Sequence, residues 1–528
     1  MTKLKRFVHG KSGLMLVVLL LTVMFLQACS TTGGAEESDD GSQSEANAEG
    51  GTLKVLIKAD ATNLDPHFIT NIDSANIIYQ KVYETLVAFN DDMEIVPNLA
   101  KDWKQIDETT WQFKLNEGIT FHDGAPFNAK AVKATFDRLL DPETGSPQRE
   151  KLGMIEEVKV IDEATVQLIL SKPYAPLLSI LASNEGSIIS PKAIAESPKS
   201  LASHPVGTGP FVFESWNTGQ DITLVKNEDY WGEKPKIDKV VFEVIPESAT
   251  RLAMIETGEA HITDTVPISE IERIKNSDTL NLYQTDGLAV SYIAFNVQNA
   301  PVDNVKLRKA ISHAVERDAI IKGIFNDVGT LANSAMSPKV FGYSENIKPY
   351  EYNINKAKQL MEEAGFKDGV NLTLVTNDRQ ERVRMAEVIK SQLKGIGVNV
   401  EIQVLEYGAY IDAIDKGDYQ MMISGWGNAT GDGDYNQYNL FHSDSHGLAG
   451  NLFYYSNNKV DKLLETARSE TSSEKREELY EKAMKIEMED AVYIPIRNYQ
   501  HLAVYNNNVE DFKISPVSYI MIDNATVK

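Results

Sequence analysis

Apolar and polar positions alternate at period two in Thr52–Lys58 (TLKVLIK), which predicts a strand, and Pro66 marks the turn that follows. Asp73–Val87 carries a helical spacing. Between Trp103 and Leu115 two strands meet at a polar turn, with Trp111, Phe113 and Leu115 on one face. Ala129–Leu140 repeats its apolar positions at helical spacing behind Asn128, a good N-cap. Val240–Ile245 and Tyr292–Val297 read as further strands. The C-terminal half is more regular. Asn371–Asn377 predicts a strand, Arg382–Lys394 a helix stopped by Gly395 and Gly397, and Val398–Leu405 a second strand. Together they form a βαβ unit, expected to be parallel. Gln420–Ser424 predicts another strand. Thr471–Met488 predicts a helix opened by a capping box at Thr471 and Glu474, with Leu479, Ala483 and Ile486 on its buried face. No fixed-period repeat is visible. The pattern is α/β, in two or three lobes.

The N-terminus is of another kind. Lys3, Lys5, Arg6 and Lys11 precede an uncharged apolar run, Leu14 to Leu26, too short to span a bilayer and typical of a signal peptide. The run ends in Leu26-Gln27-Ala28-Cys29, and Cys29 is the only cysteine of 528 residues. These four residues resemble a bacterial lipobox, with Gln27 where a small or apolar residue is usual. The resemblance implies cleavage after residue 28, lipidation of Cys29 and an extracytoplasmic, membrane-anchored protein. Two acyl chains suffice for stable anchoring where one is marginal. Residues 30–50 are small, polar or acidic, with nothing large and apolar to bury, and predict a disordered tether of roughly 25 Å r.m.s. span.

Charge and cysteine content narrow the chemistry. The chain carries a formal charge of −24. Removal of residues 1–28 leaves 48 basic residues against 76 acidic ones, or −28. Nucleic acid is an unsuitable partner, because phosphate binding requires a basic face. A single cysteine excludes an internal disulfide and, after lipidation, thiol chemistry.

Motifs for catalysis are missing. The chain has no Gly-x-Ser-x-Gly elbow, His-Glu-x-x-His or Walker A loop. Val206-Gly207-Thr208-Gly209-Pro210 begins like a dinucleotide fingerprint but lacks its third glycine, so it reads as a tight turn, with a ligand-facing role as the alternative. Asp432, Asp434 and Asn436 have the first three spacings of a calcium loop. Gln437 stands where its glycine belongs and Ser443 where its glutamate belongs, so no metal or cofactor is expected. As a catalytic carboxylate pair, Asp432 and Asp434 lack a neighbouring nucleophile or base. Ligands of open α/β sheets sit beyond the carboxyl ends of strands. Trp426 to Asp434 follows one such end, and Asn377, Asp378 and Arg379 follow another. A carboxylate such as Asp432 on one loop and a guanidinium, Arg379 or Arg382, on the other suit the two ends of a zwitterion.

Seven stretches resemble family 5 extracellular solute-binding proteins, which serve ABC importers of dipeptides, oligopeptides, glutathione and, in some members, nickel complexes. They are NLDPHF (63–68), VPNLAKDW (96–103), WQFKLNEGITFHDGAPFNAKAVKATFDR (111–138), VGTGPFVFESW (206–216), NEDYWGEKPKIDKVVFEVIPE (227–247), FNVQNAPVDNVKLRKAISHAVERDAII (295–321) and AKQLMEEAGF (357–366). The resemblance implies a class II, three-domain periplasmic-binding-protein-like fold: two α/β lobes joined by a hinge, plus a smaller inserted domain. Domain I would comprise 51–94, 205–305 and 498–528, domain II 95–204 and domain III 306–497, with ligand enclosed between I and III. It implies a monomeric, non-catalytic receptor that hands a short peptide to a permease and ATPase complex. Asp432, after Trp426, matches the family aspartate that binds the ligand ammonium, and Arg379, with Arg382 second, the arginine that takes the carboxylate. His67–Asn71, with Phe68 and Asn71, and the loop Gly207, Thr208, Gly209 would line the domain I wall. A peptide chaperone, a pheromone receptor or an acidic hydrolase using Asp432 and Asp434 remain as alternatives.

Overall fold

The computed structural model describes residues 50–528, so the leader, Cys29 and nearly all of the tether lie outside the described residues. An 11-stranded mixed sheet runs through the molecule. From one edge its order is Val398–Leu405, Val370–Asn377, Met421–Gly427, Leu280–Phe295, Tyr493–Asn506, Ile262–Thr263, Thr52–Ile57, Lys239–Val244, Asp221–Lys226 and Phe211–Asn217, with Thr330–Leu331 paired off this path. Thr52–Ile57 is parallel to both of its neighbours and buried at four of six positions, as a strand covered on both faces must be. The expected βαβ unit is present. Val370–Asn377 and Val398–Leu405 pair in parallel over eight residues around the helix Gln380–Lys394.

Two strands join the halves of the sheet. Leu280–Phe295 pairs with Gln500–Asn506 over its first half. Over its second it pairs with Tyr493–Asn498 and with Met421–Gly427. Between Asp286/Gln500 and Val290/Asn498 the register slips, so Gly287–Ala289 face Tyr499 alone, a bulge that bends the ladder between the lobes. A Cβ on Gly287 would lie 2.5 Å from the His501 ring, so glycine is required there. One core, including Val55, Phe211 and Phe242, fills the first lobe, and cores centred on Ile293 and Met385 and on Tyr292 and Met422 fill the second. A separate antiparallel sheet, Ala100–Gln105, Thr110–Leu115, Thr165–Leu170 and Ile155–Asp162, packs with the helix Ala129–Leu140 over a core of its own. Asn128 caps that helix with bonds from the Lys130 and Ala131 amides.

Candidate functional site

Trp426 lies near the carboxyl end of Met421–Gly427, where its indole N–H donates to the Tyr435 carbonyl (3.2 Å) and its ring sits 5.6 Å from that of Tyr435. The loop beyond it is self-tied. Asn428 accepts from the Thr430 and Gly431 amides (2.9 and 2.7 Å) and donates to the Asp432 carbonyl. Asp432 then caps the helix Gly433–Phe441, accepting from the Asp434 amide at 2.8 Å. The same Oδ1 accepts from Arg476 Nη2 at 2.6 Å, and both side chains are almost fully buried. Asp434 is engaged likewise, by two bonds of 2.9 Å from Arg468. Each acid of this loop is therefore already neutralised by an arginine. A ligand ammonium would have to share Asp432 with Arg476.

Arg468 and Arg476 come from the last turn of Asn458–Ser469 and the first turn of Ser473–Glu489. Neither was identified from the sequence. The available signal was phase: Arg476, Tyr480, Ala483 and Glu487 share one helical face, and all are buried, whereas Leu479 and Ile486 are only half-buried. Burial holds the Glu487 carboxyl well above the usual range. The cap is Ser472, which accepts from the Lys475 amide, one residue beyond the expected Thr471.

Around this loop lie two open clefts that share Tyr174 in their lining. One, of about 730 Å³, is walled by Trp426, Thr430 and Tyr435 on one side and by Lys151 and Met154 on the other. The second, of about 600 Å³, has Asp432, Arg476 and Phe341 on its wall. Tyr174 and Ala175 are tied to this loop and its arginine. The Tyr174 hydroxyl lies 3.5 Å from Asp434, and the next amide, Ala175, donates to the Arg468 carbonyl at 2.8 Å. Lys151 is paired with Glu185.

The other predicted residues divide. Arg379 is exposed at the start of Gln380–Lys394, with no ion pair among the described residues. Arg382, half-buried in the same helix, donates to the Ile423 carbonyl (3.3 Å) and lies 5.8 Å from the Tyr410 ring centroid. Phe68 is half-buried beneath Arg138, 5.8 Å from its ring. Asn71 spends its polar atoms locally, capping Ile72–Ile78 and donating to Thr62. The loop Gly207–Gly209 is buried and packs against Lys81–Tyr83. A Cβ on Gly207 or Gly209 would come within 2.0 Å of the Val82 carbonyl oxygen or 2.3 Å of that of Lys81. Thr208, fully buried, donates to Glu84 at 2.8 Å. Burial raises the Glu84 carboxyl to about 7, against three opposing hydrogen bonds from Thr208, Tyr230 and Trp231.

Residues 94–447, two thirds of the chain, match the model of bacterial extracellular solute-binding proteins, family 5 (middle). The chain belongs to this family. It is 30% identical over 483 residues to the glutathione-binding protein of Salmonella typhimurium, covering 90% of this chain and 94% of that one. Its fold matches HbpA2 of Haemophilus parasuis (TM-score 0.83, 28% identity, 90% of this chain and 100% of that one). It also matches the ABC transporter-associated periplasmic binding protein DppA of Helicobacter pylori in complex with the peptide STSA (TM-score 0.75, 31% identity, 91% and 98%). The two-lobed α/β architecture expected from the sequence is thus the family's. Among the described residues no helix is long and apolar enough to cross a membrane.

Proposed function

We propose that this chain is the peptide-capturing component of an ABC importer, tethered outside the cell membrane by lipid on Cys29. The observation that carries the reading is the pair of clefts sharing Tyr174, large enough for a short peptide and lined by aromatic residues such as Trp426, Tyr435 and Phe341 together with charged ones. The Helicobacter pylori protein holding the peptide STSA and the Salmonella glutathione-binding protein support it. Peptide would lie where residues of the insertion 95–204 face the lobe of residues 306–497, which together line both clefts, and the lobe of residues 51–94, 205–305 and 498–528 would close on it. Trp426 supplies an apolar wall, and Arg379 takes the terminal carboxylate. Asp432, locked to Arg476, shapes the loop. A hydrolase using Asp432 and Asp434 is disfavoured by the same locking, since a carboxylate neutralised by a guanidinium is a weak general base.

Calorimetric titration of the mature protein with di-, tri- and tetrapeptides tests the reading. Saturable binding at one site is expected, and no binding across the set would overturn it. The anchor is tested apart. Wild type should fractionate with membranes and Cys29→Ala should not; a variant still carrying lipid on the same mature N-terminus would refute the anchor.

A further inference from the structure

Beyond the loop arginines, the second lobe holds a guanidinium with no acid to neutralise it. Arg497, on Tyr493–Asn506, is 4% exposed; its Nη1 donates to the Val328 carbonyl (2.8 Å), and the guanidinium also hydrogen-bonds Tyr499. Its Nε–H is buried without a partner. The guanidinium carbon lies 3.7 Å from the Phe325 ring centroid and 4.3 Å from that of Tyr499, so the cation is held by stacking. Burial pushes its pKa below the usual arginine value, and the one carboxylate it feels, Glu381, makes no ion pair with it.

The surroundings are built to match. Ser291 stands directly opposite Arg497 on one side and Gly425 on the other, so the three share a row on one face of the sheet. The Ser291 hydroxyl is 3% exposed and also has no partner. Gly425 keeps that row free of a side chain, and there is no room for one, since a Cβ there would lie 2.9 Å from the Val290 carbonyl oxygen. Arg382 reaches the same strand two residues away, at the Ile423 carbonyl, and it too lacks an acid. Two guanidinium groups with no ion pair among the described residues thus meet the two strands flanking Leu280–Phe295, which carries the orphan Ser291 hydroxyl. Buried donors left in this state cost free energy that a matching acceptor removes.

We propose that Arg497, Arg382 and Ser291 form an anion subsite for a carboxylate of the ligand other than the one at its C-terminus, which makes the substrate class short acidic peptides. The inference rests on the peptide-binding reading above. Arginine suits the task because its planar fork meets a carboxylate bidentately and is weakly hydrated.

The experiment is calorimetric titration with trialanine-based peptides carrying Glu or its neutral isostere Gln at each position in turn. Wild type should prefer one Glu peptide over its Gln counterpart by about ten-fold or more, as a charge-assisted bond requires. Arg497→Met keeps most of the apolar stem, and Arg382→Gln alters a half-buried side chain. Each should abolish the preference while leaving affinity for the Gln peptide unchanged. Equal binding of Glu and Gln peptides by wild type, or equal losses for both in the variants, overturns the subsite and leaves peptide binding standing. Wild type that binds no peptide overturns both.

Discussion

At the scale of single residues, the acids that look most chemical in the sequence are the ones the fold pairs with arginines. Asp432 lies beside Trp426 and beyond a strand end, where a ligand-binding carboxylate belongs. Its partner, Arg476, is 44 residues away, and nothing local announces it. Removing one member of a buried ion pair strands the other and costs ~3–5 kcal/mol, whereas replacing both by apolar groups is often neutral. Asp432→Ala should therefore lower the unfolding free energy by about that amount in urea titrations, and Asp432→Ala combined with Arg476→Met should recover most of it. Binding provides the second measurement. A loop-shaping Asp432 predicts equal losses for a free-amine peptide and its N-acetylated form in the single variant. A loss confined to the free-amine peptide would return Asp432 to the role of ammonium ligand.

At the scale of elements, what is legible follows from how local the determining forces are. Ala129–Leu140 and its Asn128 cap are readable because a polar cap and a 3.6-residue period are written in adjacent residues. The βαβ unit is readable for the same reason, with glycines at the helix end. The helix expected over Asp73–Val87 stops at Ile78 instead. There the chain turns, with Gln80 at φ 54°, so that the Tyr79 hydroxyl reaches the Ala182 carbonyl and Lys81–Tyr83 pack against Gly207 and Gly209. Those partners lie over a hundred residues away, and tertiary packing overrides the local period. The strand Leu280–Phe295 was visible only from Tyr292. In its first half Leu280, Leu282 and Tyr283 pack on the cores, but Asn281, Gln284, Thr285, Asp286 and Gly287 break the apolar pattern that would have marked it. At the candidate site Trp426, Arg379 and Arg382 were legible from strand ends. Arg468, Arg476 and Arg497 were not, because each acquires its role from a partner brought by the fold.

At the scale of the whole molecule, two strands only partly legible in the sequence join the halves of the large sheet. Only Leu280–Phe295 and Tyr493–Asn506 run through both halves of the large sheet, and their pairing slips where Gly287–Ala289 bulge past Tyr499. A bulge concentrates bending at one level of a ladder, and a cleft gains contacts on closing only if ligand touches both walls. Ligand that binds the closed form more tightly shifts the population toward it, to the extent of that difference. Saturating peptide should therefore raise the melting temperature with concentration. In solution scattering it should shrink the radius of gyration by ~1 Å from about 23 Å, the size expected for this length. Gly287→Val separates hinge from ligand contact. Its side chain would press on His501, 2.5 Å from where a Cβ falls, and disturb the bulge without altering any group proposed to hold peptide. The variant should bind more weakly and lose the contraction. If it contracts as wild type does, the bend lies elsewhere. If wild type scatters identically with and without ligand, the two long strands serve as a rigid spine.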